Sequence, residues 1–216
     1  MTNDNVFIQW LTVGPFMTNV YVIGCRTSKE AAIIDAGGEG PKLVALAEDH
    51  GFKITQILQT HAHVDHIAAL PFCKAHTQAP ILLHPNEKML YDGAVQQGMM
   101  FGYPVDPMPA VDAWLEDGQT VRVGDLEGTV MLLPGHSPGS VAFHFASIST
   151  VFSGDVLFAG SMGRVDLPGS NPDDMRLSLA RMSAELPDNT RVLSGHGPET
   201  TIGLEKKRNP YIHGDW

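Results

Sequence analysis

The chain has 216 residues, of which 43% are hydrophobic, and a formal net charge of −10 at pH 7. This acidic balance argues against a nucleic-acid partner, because nucleic acids bind to basic protein surfaces. No apolar run approaches the ~18 residues of a membrane span, and residues 1–11 lack the basic start and apolar stretch of a signal peptide. We therefore expect one soluble, cytoplasmic domain over residues 1–216, with no membrane partner.

The secondary structure is predicted from apolar periodicity and from turn residues. Strands are predicted, in chain order, over residues 20–23, 31–34, 54–58, 81–83, 121–123, 129–133, 140–145, 150–152 and 190–193. Helices are predicted over residues 41–50, 67–76 and 87–100, and from a cap at Asn171 to about residue 186. Strands followed by a helix, in two successive sets, favour two packed sheets with helices outside, an αββα sandwich.

Residues 61–66, His-Ala-His-Val-Asp-His, place four potential metal ligands directly after a predicted strand. Buried imidazole and carboxylate groups need partners, so two adjacent metal ions explain this segment better than core packing does. His61 and His63 can hold one ion from a single turn. Asp65 and His66 then point towards a second ion. Nitrogen and oxygen ligands without cysteine suit zinc, iron or manganese, and the tight spacing requires a loop.

Three later segments supply the missing ligands, each at the end of a predicted strand. These ligands are His136, Asp155 and His196, and each has a neighbouring glycine that lets the backbone turn sharply. We expect three histidines at the first ion: His61, His63 and His136. We expect three residues at the second ion: Asp65, His66 and His196. Asp155, with two carboxylate oxygens, is the natural bridge between the ions.

These segments, in this order and spacing, resemble the metallo-β-lactamase superfamily from about residue 19 to the C-terminus. The resemblance implies a mixed α/β (α+β) fold, the αββα four-layer sandwich, and it places Asn19 close to the metals. Residues 163–169 and the tail from 197 to 210 look like the glyoxalase II-like hydrolases, especially a short bacterial hydroxyacylglutathione hydrolase type. That closer likeness implies hydrolysis of an S-acylglutathione, with S-D-lactoylglutathione as the type substrate.

The predicted reaction uses two divalent ions, for which we expect zinc, with iron or manganese as alternatives. Two cations lower the pKa of a bridging water from ~15.7 towards neutrality, and the resulting hydroxide can attack a carbonyl held over them. We assign Asp65 the catalytic role of orienting this nucleophile and shuttling its proton. A thiolate leaving group has a pKa near ~8.5 and can depart with little protonation. The expected substrate is therefore a small thiolester.

Arg164 and Lys207 are the candidate substrate-binding residues. Arg164 follows the third metal segment in a Gly-rich loop, and Lys207 belongs to a basic run in the tail. Longer glyoxalase II enzymes carry an extra C-terminal helical region that helps hold glutathione, whereas only residues 197–216 follow His196 here. A thiolester of another thiol therefore stays open, and the protein is expected to be a monomer or a homodimer.

Other functions remain as alternatives. A mononuclear iron persulfide dioxygenase shares the fold and much of the histidine segment, and would hold one metal with two histidines and one aspartate. Lactonases and phosphodiesterases of the same fold differ in the leaving group and not in any residue that the sequence singles out. A non-catalytic metal-binding module is disfavoured, because all seven ligand positions are filled.

Two further groups of residues carry expectations. Met99, Met100, Phe101 and Tyr103 form an apolar cluster that we interpret as core or a helix end, with a substrate lid as the alternative. Cys25 and Cys73 have no metal-binding spacing, and so few cysteines indicate a reducing compartment and not a disulfide scaffold.

Overall fold

The computed structural model describes residues 5–214 and 216 of the chain. Residues 1–4 and Asp215 lie outside it, so the expectation that residues 1–11 hold no signal peptide falls partly outside the described residues. None of the helices that the structure describes combines the length and the apolar character that a membrane crossing would require.

The first sheet uses the N-terminal half of the chain, with its strands side by side in chain order. These strands are β1 (Val6–Val13), β2 (Thr18–Cys25), β3 (Glu30–Ile34), β4 (Lys53–Leu58), β5 (Ile81–Leu83) and β6 (Ala113–Trp114). The pairs β1–β2 and β2–β3 are antiparallel, and the pairs from β3 to β6 are parallel. Parallel neighbours need crossover connections, which contain α1 (Gly40–Glu48), α2 (Val64–Ile67), α3 (Leu70–Thr77), α4 (Lys88–Asp92) and α5 (Ala94–Phe101).

The second sheet uses the C-terminal half of the chain. Its strands are β7 (Thr120–Val123), β8 (Leu126–Leu132), β9 (Val141–Phe145), β10 (Thr150–Gly154), β13 (Arg191–Ser194) and β14 (Thr200–Thr201), in the spatial order β14-β13-β10-β9-β8-β7. A separate small hairpin consists of β11 (Leu157–Phe158) and β12 (Ser161–Met162). Two helices complete this half, α6 (Pro172–Glu185) and α7 (Ile202–Arg208).

Three clusters of buried apolar side chains lie between the layers. The cluster between the two sheets includes Ile34 from the first sheet and Phe143 from the second. A second cluster joins the first sheet to α1 and α3, and a third joins the second sheet to α6. The layers therefore follow the order helix, sheet, sheet, helix, which confirms the predicted αββα sandwich.

β3 illustrates how the sequence produces these layers. Ala31 and Ile33 belong to the cluster that faces the helices, whereas Ala32 and Ile34 belong to the cluster between the sheets. Successive side chains of a strand point to opposite faces, so a strand that is covered on both faces appears in the sequence as an uninterrupted apolar run.

Two predicted helices are interrupted in the structure. The helix predicted over 67–76 divides into α2 and α3, because the Ala69 amide donates to the Ala36 carbonyl, 2.7 Å away, instead of continuing the helix. The helix predicted over 87–100 begins as a 3-10 turn, Pro85–Glu87, and divides into α4 and α5 at Gly93, a residue with low helix propensity. The helix α7 and five strands, β1, β6, β11, β12 and β14, were not predicted.

The start of α6 generates a stability prediction. Asn171 caps this helix, since its Oδ1 accepts from the amides of Asp173 (2.9 Å) and Asp174 (3.3 Å). Asn171→Ala should lower the free energy of unfolding by about 1 kcal/mol in urea denaturation. Leu177→Ala, a change at a 71% exposed position of the same helix, is the control and should stay within about 0.5 kcal/mol of the parent. Equal losses in both variants would contradict the capping role.

Candidate metal centre

The seven sequence-predicted ligands meet at one edge of the two sheets, in segments that follow β4, β8, β10 and β13. The segment after β4 is irregular over residues 61–63, as expected for a loop, and His63 then precedes the first turn of α2. Asp65 and His66 lie on this helical turn and not in a loop. The short helix directs these two side chains towards the second sheet, whose segments contain His136, Asp155 and His196.

The first group of ligands contains three histidines, His61, His63 and His136, whose ligand atoms all lie within 4.8 Å of one another. All three side chains are buried. His63 Nδ1 and His136 Nε2 are 2.7 Å apart, although His63 follows a strand of the first sheet and His136 follows a strand of the second sheet. This is the trio that the sequence predicts for the first ion.

The second group consists of Asp65, His66 and His196, again with ligand atoms within 4.8 Å of one another. Asp155 lies between the groups. Its Oδ2 is 3.5 Å from His136 Nε2 in the first group and 3.3 Å from His196 Nε2 in the second. The structure thus brings all seven predicted ligands together, with Asp155 between the two groups.

The donor atoms of this cluster fit metal ions. His61 Nε2, His66 Nε2 and Asp155 Oδ1 are buried and have no hydrogen-bond partner among the described residues. Buried polar atoms nearly always have partners, and an unpaired one costs about 1–3 kcal/mol. Imidazole nitrogens and carboxylate oxygens directed into one space are the ligands of zinc and of similar divalent ions.

The histidines of the first group are held neutral. Burial lowers the pKa of His61 well below its usual range, and it lowers the pKa of His63 to about 3. Burial likewise lowers the pKa of His136. A neutral imidazole keeps the lone pair that a metal needs, so this group is ready to bind a cation at neutral pH.

The carboxylates of the centre are held ionised. Burial alone would raise the pKa of Asp65, but the neighbouring His66 and a hydrogen bond from His196 lower it to about 2. The same two histidines hold the pKa of Asp155 well below its usual range against the effect of burial. Burial alone would lower the pKa of His196, yet hydrogen bonds to Asp155 and Asp65 raise it to about 9. The negative charges of the buried Asp155 and the half-buried Asp65 therefore attract positive charge to this point.

Asp35 orients two of the ligands, a role that the sequence analysis did not predict. Its Oδ2 accepts from His66 Nδ1 (2.9 Å) and from the Thr60 hydroxyl (2.7 Å), which is itself 3.0 Å from His61 Nδ1. This leaves Nε2 of His66 facing Asp65 and Asp155. Hydrogen bonds to the far nitrogen fix the ring and its tautomer. Asp35 has a positive φ of 60°, a backbone conformation that is uncommon for residues other than glycine.

Glu87 joins two of the ligand segments, and nothing in the sequence indicated this role. Its side chain is buried, and its two oxygens accept from the amides of Ala62 and Gly139, each at 2.7 Å. Ala62 lies between two ligands, and Gly139 lies in the turn that contains His136. A Cβ at Gly139 would lie 2.9 Å from His84 Nδ1 and 3.0 Å from Glu87 Cγ, so the close approach requires glycine.

Asn19 positions the turn of His196. Its Nδ2 donates to the carbonyls of Ser194 (3.1 Å) and Gly197 (2.8 Å), and its backbone amide donates to Gly195 (2.7 Å). A Cβ at Gly195 would lie 2.1 Å from Asp155 Oδ1, so only glycine allows the turn to approach the Asp155 carboxylate this closely. Asn19 therefore lies beside the centre, where the family resemblance placed it. Its side chain holds the backbone of the turn that contains His196.

An open cleft of about 340 Å³ lies over the centre, and Asp65, Asp155 and His196 contribute to its floor. Arg164 lines this cleft, with its guanidinium bound to the Asp166 carboxylate at 2.6 and 2.8 Å. The Arg164 carbonyl also accepts from His136 Nδ1, 2.8 Å away. Lys207 is exposed on α7 and is not among the lining residues.

The apolar run at residues 99–101 forms the end of α5, as one of our two interpretations expected. The core interpretation was wrong for Met99 and Met100, which are 73% and 74% exposed. Phe101 lines the cleft. The two cysteines, Cys25 and Cys73, are both buried and free of any disulfide.

Comparison with known proteins places the chain in a family. The model of the metallo-beta-lactamase superfamily matches residues 13–196. The probable metallo-hydrolase YqgX of Bacillus subtilis is 39% identical over 211 residues, covering 96% of this chain and 99% of the relative. Hydroxyacylglutathione hydrolase GloC of Haemophilus influenzae is 32% identical over 208 residues, covering 95% of this chain and 98% of the relative.

Structural similarity agrees with the sequence matches. The crystal structure of TTHA1623 in a di-iron-bound form has a TM-score of 0.87 and 40% identity, covering 94% of this chain and 100% of that chain. The family match spans most of the residues, and it includes every predicted ligand from His61 to His196. This chain therefore belongs to the metallo-β-lactamase superfamily and is a metal-dependent hydrolase of that family.

Proposed function

We propose that this protein is a dinuclear thiolester hydrolase that acts on S-acylglutathiones, with S-D-lactoylglutathione as the first substrate to test. The observation that carries the proposal is the pair of ligand groups with Asp155 between them, at the floor of an open cleft. The similarity to a hydroxyacylglutathione hydrolase over nearly the whole chain supports the substrate class.

The residues of the floor suit an attack on a carbonyl. When bound, two divalent ions would supply hydroxide at neutral pH and polarise the carbonyl oxygen. Asp65 is the group that can orient the nucleophile and hold its proton, because it lines the cleft and is ionised. The Thr18 hydroxyl donates to Asp65 Oδ2 at 2.7 Å and fixes the carboxylate in place. No protein nucleophile is needed for this reaction.

We further propose zinc as the metal, with iron or manganese as alternatives, and a cytoplasmic monomer or homodimer as the working form. The ligand set has only nitrogen and oxygen atoms, which all three metals accept. The di-iron-bound form of a 40% identical structure makes iron a necessary arm of every metal assay.

The first prediction concerns turnover. Freshly purified, metal-replete protein should hydrolyse S-D-lactoylglutathione, and a chelator should abolish the activity, because the nucleophile depends on the ions. Metal content and thiol release would be measured on the same sample. Protein that holds metal but leaves every acyl-thiol unchanged would overturn the proposal. Oxygen uptake with glutathione persulfide in iron-loaded protein would instead identify a dioxygenase, and cleavage of lactones another hydrolase.

The second prediction concerns the two metal groups. His63→Ala and Asp65→Ala should each remove at least one metal per chain and most of the activity, because each variant removes a ligand from a different group. His76→Ala is the matched control, since this surface histidine pairs with Glu48 at 3.5 Å, stacks on Phe72 and belongs to neither ligand group. Full turnover with one ion lost, measured by elemental analysis, would contradict the dinuclear mechanism.

The third prediction concerns substrate anchoring. Arg164→Ala should raise KM several-fold and leave kcat nearly unchanged, as the loss of uniform binding does. Arg122→Ala is the control, because Arg122 forms a similar exposed ion pair, with Glu127, outside the cleft. Lys207→Ala in the same assay tests the tail. Unchanged steady-state kinetics in either the Arg164 or the Lys207 variant would remove that residue from the site.

A further inference from the structure

Above the metal ligands, the cleft is walled by apolar side chains from separate elements. Phe16 comes from the turn between β1 and β2, and Phe101 comes from the end of α5. Phe158 and Met162 come from the β11–β12 hairpin, and Leu167 comes from the loop that follows it. Because these elements come from both halves of the sandwich, apolar side chains line several sides of the cleft above the metal ligands.

The wall reaches the protein surface at Phe16 and Phe101. Their rings meet edge to face, with centroids 6.1 Å apart, and they are 39% and 41% exposed. Met17, Met99 and Met100, close to them in the chain, are 63%, 73% and 74% exposed. Exposed apolar side chains at the edge of a cleft are a common feature of binding sites.

The same wall has few polar side chains. The Gln97 amide nitrogen donates to the carbonyls of Leu90 (2.7 Å) and Ala62 (3.2 Å). Arg164 is bound to Asp166 by two hydrogen bonds, and its side chain is 61% exposed, so it lies towards solvent, where it can contact the hydrated thiol half of a substrate. Among the residues that line the cleft above the metal ligands, Ser161 is the remaining polar one. A charged or strongly polar substrate group in this wall would lose water without gaining an equivalent set of partners.

We propose that the cleft selects thiolesters with an apolar acyl chain, which lies between the Phe16–Phe101 pair and the β11–β12 hairpin. The inference rests on the proposed thiolester hydrolysis and narrows its substrate class. The acyl and thiol halves diverge from a carbonyl carbon at the floor. The apolar half gains free energy by leaving water for the wall, and the charged peptide half of glutathione stays hydrated at the mouth.

The part of the wall that the β11–β12 hairpin contributes is fixed relative to the metal ligands. The ring of Phe158 meets the ring of the ligand His196 edge to face, with centroids 5.8 Å apart. Glu205 of α7 accepts from the Gly160 amide at 2.8 Å, and Asn209 donates to the Ser161 carbonyl at 2.9 Å. An acyl chain that packs on this hairpin would therefore be oriented with respect to the metal-bearing floor, as efficient catalysis requires.

The test is a series of glutathione thiolesters that share one thiol: acetyl, butyryl, hexanoyl and D-lactoyl. We expect kcat/KM to rise about fourfold for each methylene that the wall buries, and butyryl to exceed lactoyl. Phe101→Ala should flatten this dependence and Phe101→Leu should largely retain it, with metal content unchanged in both. Met89→Ala, at an exposed apolar position of α4 that does not line the cleft, is the control and should keep the full slope.

The outcomes separate this inference from the proposed function. Metal-loaded protein that hydrolyses none of these thiolesters would overturn the proposed function and this inference together. Protein that hydrolyses them with equal kcat/KM, or that prefers lactoyl to butyryl, would keep the proposed function and overturn the apolar selectivity. An unchanged slope in Phe101→Ala would remove the Phe16–Phe101 pair from the acyl site and overturn the binding mode.

Discussion

Seven buried or half-buried imidazole and carboxylate side chains converge on one small volume, and the rest of the molecule is arranged to hold them there. Such groups cannot simply be buried among apolar side chains, because a buried polar atom without a partner costs free energy. The sandwich solves the problem by bringing four strand ends to one edge. The apolar layer between the sheets, which includes Ile34 and Phe143, fixes the distance between the two halves that contribute ligands.

Backbone and side-chain hydrogen bonds then determine the geometry that packing leaves open. Asp35 sets the ring orientation of His66, Glu87 joins the segments of His61 and His136 through their amides, and Asn19 holds the turn of His196. None of the three needs to touch a substrate. They act by restricting the positions of groups that do, which is how a site built on irregular segments reaches the precision that catalysis requires.

The sequence predicted the parts of this molecule that are encoded locally. The ligand segments identify themselves by residue type and spacing, and β3 identifies itself by an apolar run that two covered faces require. Asp35, Glu87 and the wall around Phe101 could not be predicted, because their roles depend on residues between 25 and 85 positions away or on which side of a helix end faces a cleft. The prediction of one helix over residues 67–76 was wrong for the same reason, since the Ala69 amide donates to the carbonyl of Ala36, a residue outside the helix.

The first ligand group also has a consequence for folding. His63 follows a strand of the first sheet, and His136 follows a strand of the second, so an ion held by both would be a cross-link between the halves of the chain. Such a link closes a long loop, whose entropy must be lost before the contact can form. Anything that binds only the folded chain stabilises all of it. Bound metal would therefore raise the free energy of unfolding of the whole sandwich, and loss of metal would destabilise both sheets together.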